Sequence, residues 1–178
     1  SCGIAVEELH NIGVEVMIRI GSCGALQPEV KMGDLIIVNG AVRDDGASKA
    51  YITPVFPAVP DATLMYHCIS AAKEQGFSFH TGIARSHDSF YTRKEDDIYR
   101  FWHAQGVLGS DMETAALFTI GHLRGVKTAS ILNNVVAFEG DTSESIGDYV
   151  DGESLSALGE KHEIITALEA FVKLENET

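Results

Sequence analysis

Apolar strand-like runs alternate with helical patterns along the whole of this chain, and that alternation limits the folds open to it. Val14–Ile20 is apolar on both faces except for Glu15 and Arg19, and Asp34–Val38 is a second apolar run after a turn at Lys31–Gly33. A strand apolar on both faces must be covered on both, as happens in a parallel sheet between helices. Phe77–Ser86 and Lys127–Val136 read as further strands. Helical patterns fall between them. Ile4–Leu9 with Ile12 and a Gly13 stop opens the chain, Asp61 to Gly76 carries Leu64, Met65, Cys68, Ile69 and Ala72 on its apolar side, and Lys94–Gln105 turns Ile98, Phe101 and Trp102 inward. A closing helix is expected from Ser154 to about Lys173. The fold class is therefore α/β: three layers, α/β/α, around a mostly parallel central sheet.

A chain of 178 residues with 45% hydrophobic content is expected to form a single domain, 1–178, with a sizeable core. Its net charge of −13 argues against a nucleic-acid surface, which needs a basic footprint. No apolar run approaches the ~20 residues that cross a bilayer, so no membrane partner is expected. Three cysteines without a framework spacing point to reduced thiols and a cytoplasmic setting, and no secretory leader is visible. The seven histidines show no metal-binding spacing, so no metal is expected. Two loops stand out: residues 43–60, with three of the four prolines, and an acidic stretch, 139–153, whose Gly140 and Gly147 would allow movement.

Ligands of open α/β sheets bind beyond the carboxyl ends of strands, and three such ends here carry unusual chemistry. At Gly109–Phe118 a short apolar lead runs into Ser110-Asp111-Met112-Glu113 and then a helix with Ala115, Ala116, Phe118, Thr119 and Leu123 on one face. A carboxylate at that junction can accept hydrogen bonds from sugar hydroxyls. The alternative is that Asp111 and Glu113 merely serve the first helical turn, where acids complement the helix dipole. At Arg19-Ile20-Gly21-Ser22 an arginine stands among apolar residues, followed by a small-residue turn through Gly24. A buried guanidinium needs an anion, and Gly21 with Ser22 could bring backbone and hydroxyl close to a phosphate; a structural ion pair is the competing reading. Cys23 reads as a small buried thiol rather than a nucleophile. At Ser86–Tyr91, Phe90 and Tyr91 could stack on a flat ligand or belong to the core.

Taken together these stretches resemble the nucleoside phosphorylase family, above all its uridine phosphorylase branch. The residues that carry the likeness are Arg19–Ala25, Gly33-Asp34, Arg43–Ser48, Phe56–Val59, Ser86–Tyr91 and Asp111–Ala116, in one order through nearly the whole chain. The resemblance implies a mixed, mostly parallel sheet and a pentosyltransferase activity: reversible phosphorolysis of uridine to uracil and ribose 1-phosphate, in pyrimidine salvage. It assigns Arg19, Gly21 and Ser22 to phosphate. Ser22, Met112 and Glu113 fall to the ribose, and Phe90, Tyr91, Lys94 and Asp111 to the base. Arg19 and Glu113 become the catalytic pair. It implies no cofactor, inorganic phosphate being a co-substrate, and a homo-oligomer of dimers grouped into a hexamer.

Two departures from the family pattern qualify this. Purine-cleaving members resemble one another in an Asp after the late strand, where this chain has Ala137 in Asn133–Phe138. The Gln and Arg that read uracil are replaced by position with Lys94 and Asp96. A purine phosphorylase or nucleosidase is thus the second enzymatic reading. Ser1 also matches a point inside the family domain, so the chain is expected to lack an N-terminal segment with a Gly-rich phosphate loop, a further Arg and a His lent to a neighbouring subunit. An inactive fragment or degenerate member, binding nucleoside without turnover, is the non-enzymatic alternative.

Overall fold

Leu35, Ile36, Ile37 and Val38 are all completely buried, and their alternation explains how the protein is layered. Ile36 and Val38 point into one apolar cluster with Met17, Cys23, Leu132 and Phe118. Leu35 and Ile37 point into a second with Leu64, Cys68, Ile131 and Ala170. A strand must be apolar on both faces when helices cover both. The computed structural model describes residues 1–89, 91–140 and 155–177. Its strands are β1 (Val16–Ala25), β2 (Leu35–Asp44), β3 (Phe79–His87), β4 (Gly109–Asp111) and β5 (Lys127–Val136). Its helices are α1 (Cys2–Asn11), α2 (Gly46–Tyr51), α3 (Ala62–Gln75), α4 (Glu95–Ala104), α5 (Thr114–Leu123) and α6 (Leu155–Asn176). Helices α1 and α5 supply the first cluster, α3 and α6 the second.

The sheet is mixed and curls until it closes, in the order β1-β4-β3-β2-β5 and back to β1. β1 with β5, β2 with β3 and β3 with β4 are parallel, whereas β1 with β4 and β2 with β5 meet antiparallel over a few residues. Register shifts at Cys23/Gly24 and Val38/Gly40 bend β1 and β2, the kind of local kink that closure requires. Helix ends follow their sequence signals. The Asp61 carboxylate accepts from Leu64 N at 2.8 Å to cap α3, and Gly76 ends it in a left-handed conformation, φ 70°. Among the described residues no helix is long and apolar enough to cross a membrane.

Several elements differ from the sequence expectation. The small residues Gly21–Gly24 do not turn: they stay in β1, held extended by their pairing with Leu132–Val136 of β5. β2 likewise runs past Val38 to Asp44. The excursion at 43–60 contains α2 and is held from inside by Arg43. That guanidinium donates to Ser48 Oγ and to the carbonyls of Ser48, Ile52, Thr53 and Phe56, so all its donors are used by neutral acceptors. Helix α4 was expected to face inward with Ile98, Phe101 and Trp102. It has no buried residue and leaves Phe101 56% exposed, because it lies on the rim, attached through contacts such as Gln27 Nε2 to His103 O at 2.9 Å. Helix α5 is buried on every side from Thr114 to Gly121 rather than on one face. The closing helix is described from Leu155 and reaches Asn176; Ser154, Phe90, Gly147 and most of the acidic loop lie outside the described residues.

Candidate functional site

The C-terminal ends of β1, β3 and β4 meet because these strands are neighbours in the closed sheet, with Gly24 opposite Ser110 and Ser86 opposite Asp111. That pairing brings together three stretches separated by about ninety residues of chain. Asp111 ends β4 and turns inward, its side chain fully buried. Its Oδ1 accepts from Ser86 Oγ at 2.5 Å, and its Oδ2 accepts from Thr114 N at 2.9 Å and Thr114 Oγ1 at 2.5 Å. Ser86 Oγ in turn accepts from Ala115 N at 2.8 Å, and Ser130 lies 2.8 Å from Thr114 Oγ1. Asp111 and Ser86 thus satisfy the first amides of α5, the role of a helix cap. A contact from Asp111 to a base, expected from the family resemblance, is not open to it, because both its oxygens are consumed by the protein.

Arg19, on β1, points at the same junction. Its Nε lies 3.4 Å from Asp111 Oδ2, and its Nη2 donates to Glu113 Oε2. Burial pulls the Arg19 guanidinium down, and Asp111 and Glu113 more than offset this, so it is held above its ordinary value and stays charged. Its third nitrogen, Nη1, is buried and has no hydrogen-bond partner among the described residues. Glu113 precedes α5 and keeps its side chain 41% exposed. Its Oε2 also accepts from Met112 N at 3.2 Å, while Oε1 takes no hydrogen bond among the described residues. Met112, beside it, is exposed.

Gly21 has a different use from the one expected. A Cβ there would sit 2.7 Å from Arg19 Nη1, so the missing side chain lets the guanidinium fold against its own strand. The Gly21 N–H does not face open space but donates to Glu163 Oε2 of α6 at 3.0 Å. Ser22 follows and is exposed. Cys23 is buried, and burial pushes its thiol far up, as fits an inert core cysteine. A shallow cleft of about 330 Å³ between α1 and β1 has Arg19 and Glu113 on its wall, together with Cys2, Leu9, Met17 and Leu117. Burial, then Glu113, pushes the Cys2 thiol upward.

The residues expected at the base are less closely gathered. Phe90 lies outside the described residues. Tyr91 is 87% exposed, and Lys94, also exposed, stands at the start of α4. Lys94 has no part in the Arg19–Asp111–Glu113 cluster. Ala137 sits just past β5 and brings no acid to the site. Glu163 escaped sequence reading, although a signal was present: it occupies a position in the buried stripe Ser156, Gly159, Glu163, Thr166, Ala167, Ala170 of α6. A charged residue in such a stripe needs a partner.

The family model described as the phosphorylase superfamily matches residues 4–153. A uridine phosphorylase of Klebsiella aerogenes is 36% identical over 149 residues, which cover 76% of this chain and 59% of that protein. A uridine phosphorylase of Thermococcus kodakarensis is 34% identical over 180 residues, 90% of this chain and 64% of that protein. A guanosine phosphorylase of Halorubrum lacusprofundi is 36% identical over 131 residues, 74% of this chain and 54% of that protein. Among solved structures, uridine phosphorylase of Vibrio fischeri ES114 superimposes with a TM-score of 0.88 at 45% identity, covering 97% of this chain and 70% of that one. The chain therefore spans only 54% to 64% of the length of these curated relatives. With the strand order, the clustered strand ends and these matches all in accord, the chain belongs to the phosphorylase superfamily.

Proposed function

We propose that this chain carries the phosphate- and ribose-binding half of a nucleoside phosphorylase site, with uridine as the preferred nucleoside. The observation that carries the reading is the Arg19–Glu113 pair: a partly buried guanidinium with an unused Nη1 beside a half-exposed carboxylate with an unused Oε1. In this reading Arg19 and the Ser22 hydroxyl hold phosphate, and Glu113 Oε1 accepts from the ribose hydroxyls with Met112 against the sugar. Phe90 and Tyr91 lie by the base, with Lys94 at the edge. Asp111 holds Arg19 and the start of α5 in place.

Cleavage of the C1′–N bond makes an oxocarbenium-like sugar. A phosphate dianion positioned at C1′ stabilises that charge, forms the new C1′–O bond, and gives up its proton to the departing base. Catalysis is then positioning and electrostatics, with no covalent enzyme intermediate. The uridine phosphorylase relatives support the pyrimidine preference, and Ala137 supports it by offering no acid to a purine. The guanosine phosphorylase relative favours the second reading, phosphorolysis of a purine nucleoside. The resemblance extends to oligomers of paired subunits.

The test is release of free base from uridine, inosine and thymidine, with and without phosphate. Phosphate-dependent uracil release, reduced at least a hundredfold by Arg19→Ala and by Glu113→Ala, is the expected result, on the scale of losing one preorganised charged contact. Release from inosine alone would transfer the assignment to purines. Nucleoside binding without any release would make the chain a binding member of the family.

A further inference from the structure

The carboxyl group of Glu163 is an acid in this neighbourhood that the proposed reaction does not use. It reaches across from α6, 142 residues away in sequence from the backbone it touches, and accepts the Gly21 N–H at 3.0 Å. Glu163 is only 4% exposed, so nothing but protein surrounds its charge. Gly21 is the residue on which the Arg19 guanidinium rests. Glu163 therefore stands immediately behind the two groups, Arg19 and the Gly21–Ser22 backbone, that are proposed to receive phosphate.

We infer that Glu163 is a positioning residue that makes anion binding at Arg19 depend on a proton: the site takes up a dianion together with a proton on Glu163. The inference rests on the phosphate role proposed for Arg19. A dianion and an ionised Glu163 would share one guanidinium already engaged by Asp111 and Glu113, and two like charges in a buried site repel strongly. With Glu163 neutral, its carbonyl oxygen still accepts the Gly21 N–H, so the backbone keeps its place while the repulsion disappears.

Surrounding groups allow such a proton near neutral pH. Burial pushes the Glu163 carboxyl up to about 7, against the pull of the Gly21 N–H, Arg19 and the Asn133 backbone, and Glu160 on the same helix adds a smaller upward push. From β1 it is faced by Arg19 and by Cys23. From β2, Asp34 is engaged by His80 and the Lys31 N–H. From α3, Glu74 pairs with Lys173 and His67 with Glu177 toward the far end of α6, and Lys73 lies in the last turn of α3. His162 is stacked on Phe77. No cation other than Arg19 is brought to Glu163 among these contacts.

Sulfate is the right probe, because its charge does not change between pH 6 and pH 8 as that of phosphate does. Titration calorimetry of the protein with sulfate should show affinity falling on the order of tenfold from pH 6 to pH 8, with uptake of about half a proton near pH 7 and more above it. In Glu163→Gln, which keeps an oxygen for Gly21, affinity should be flat over that range and match the low-pH value of the unaltered protein. Carbon-detected NMR titration of the glutamate carboxyls in the unaltered protein provides a check that needs no variant: one carboxyl should titrate near 7 and shift upward when sulfate is added. A flat sulfate affinity in the unaltered protein, or an undiminished pH dependence in Glu163→Gln, overturns the inference while leaving phosphorolysis standing. No sulfate binding at either pH, with phosphate-dependent turnover also absent, overturns the anion site and this inference with it.

Discussion

At the scale of single residues, the site is built from groups whose partners lie far away in sequence. Arg19 is held in its partly buried place by Asp111 and Glu113, which flank it and raise its pKa against the pull of burial, and Asp111 lies inside with Ser86 and Thr114 donating to its two oxygens. Gly21 is required by the first of these arrangements: a methyl group there would meet Arg19 Nη1 at 2.7 Å and push the guanidinium off its seat. Gly21→Ala should therefore raise the KM for phosphate by roughly ten- to hundredfold with a smaller effect on the KM for nucleoside, on the scale of one displaced charge-assisted contact. Steady-state kinetics with each substrate varied in turn would check it, and equal effects on both would place Arg19 elsewhere in the reaction.

At the scale of elements, α6 decides how the two halves of the site are backed. Its start lies so close to β5 and to the turn before β2 that Gly159 cannot carry a side chain. An added Cβ would fall 2.1 Å from Asn133 Oδ1 and 2.7 Å from the Gly33 carbonyl. The same approach lets Asn133 Nδ2 donate to the Ser156 carbonyl at 2.7 Å and carries Glu163 to Gly21 one turn later. Gly159→Ala removes helix-breaking entropy but forces this contact apart, and overpacking of that kind costs about 1–3 kcal/mol or more. Urea denaturation should show that loss of stability. The fold should persist, since α6 keeps Ala167, Ala170 and Leu174 in the second core cluster.

At the scale of the whole molecule, a buried acid with a raised pKa makes stability depend on pH. Glu163 is protonated more readily in the folded chain, at about 7, than at its ordinary 4.5. Its favourable contribution is therefore fully present below pH 4.5 and is lost as pH rises through 7. The swing is about 3 kcal/mol, from 1.36 kcal/mol per pKa unit. Asp34 acts in the opposite sense: burial opposes ionisation, but hydrogen bonds from His80, Ser78 and Lys31 hold its carboxyl low, so its contribution is lost as pH falls. Unfolding free energies at pH 5 and pH 8 should thus fall toward the higher pH, and Glu163→Gln should flatten that difference. An unchanged slope in the variant would show that Glu163 is ionised in the fold throughout.

The sequence by itself determined the alternating α/β architecture, because burial on both faces of Leu35–Val38 is written in local residue types. It also made the three stretches that meet here conspicuous, since an arginine or a pair of acids stands out among apolar neighbours, although Arg19–Ser22 proved to lie inside β1 rather than at its end. Only the tertiary structure decided what those residues do to one another. Closure of the sheet set Ser86 beside Asp111 and converted a candidate base-binding acid into a buried cap. Strand pairing with β5 kept Gly21–Gly24 extended where local composition pointed to a turn. The meeting of α6 with β1 placed a glutamate behind the arginine. Hydrophobic periodicity reports whether a position is buried, but the partner that satisfies a buried charge is chosen by contacts across the whole chain, and no local pattern encodes it.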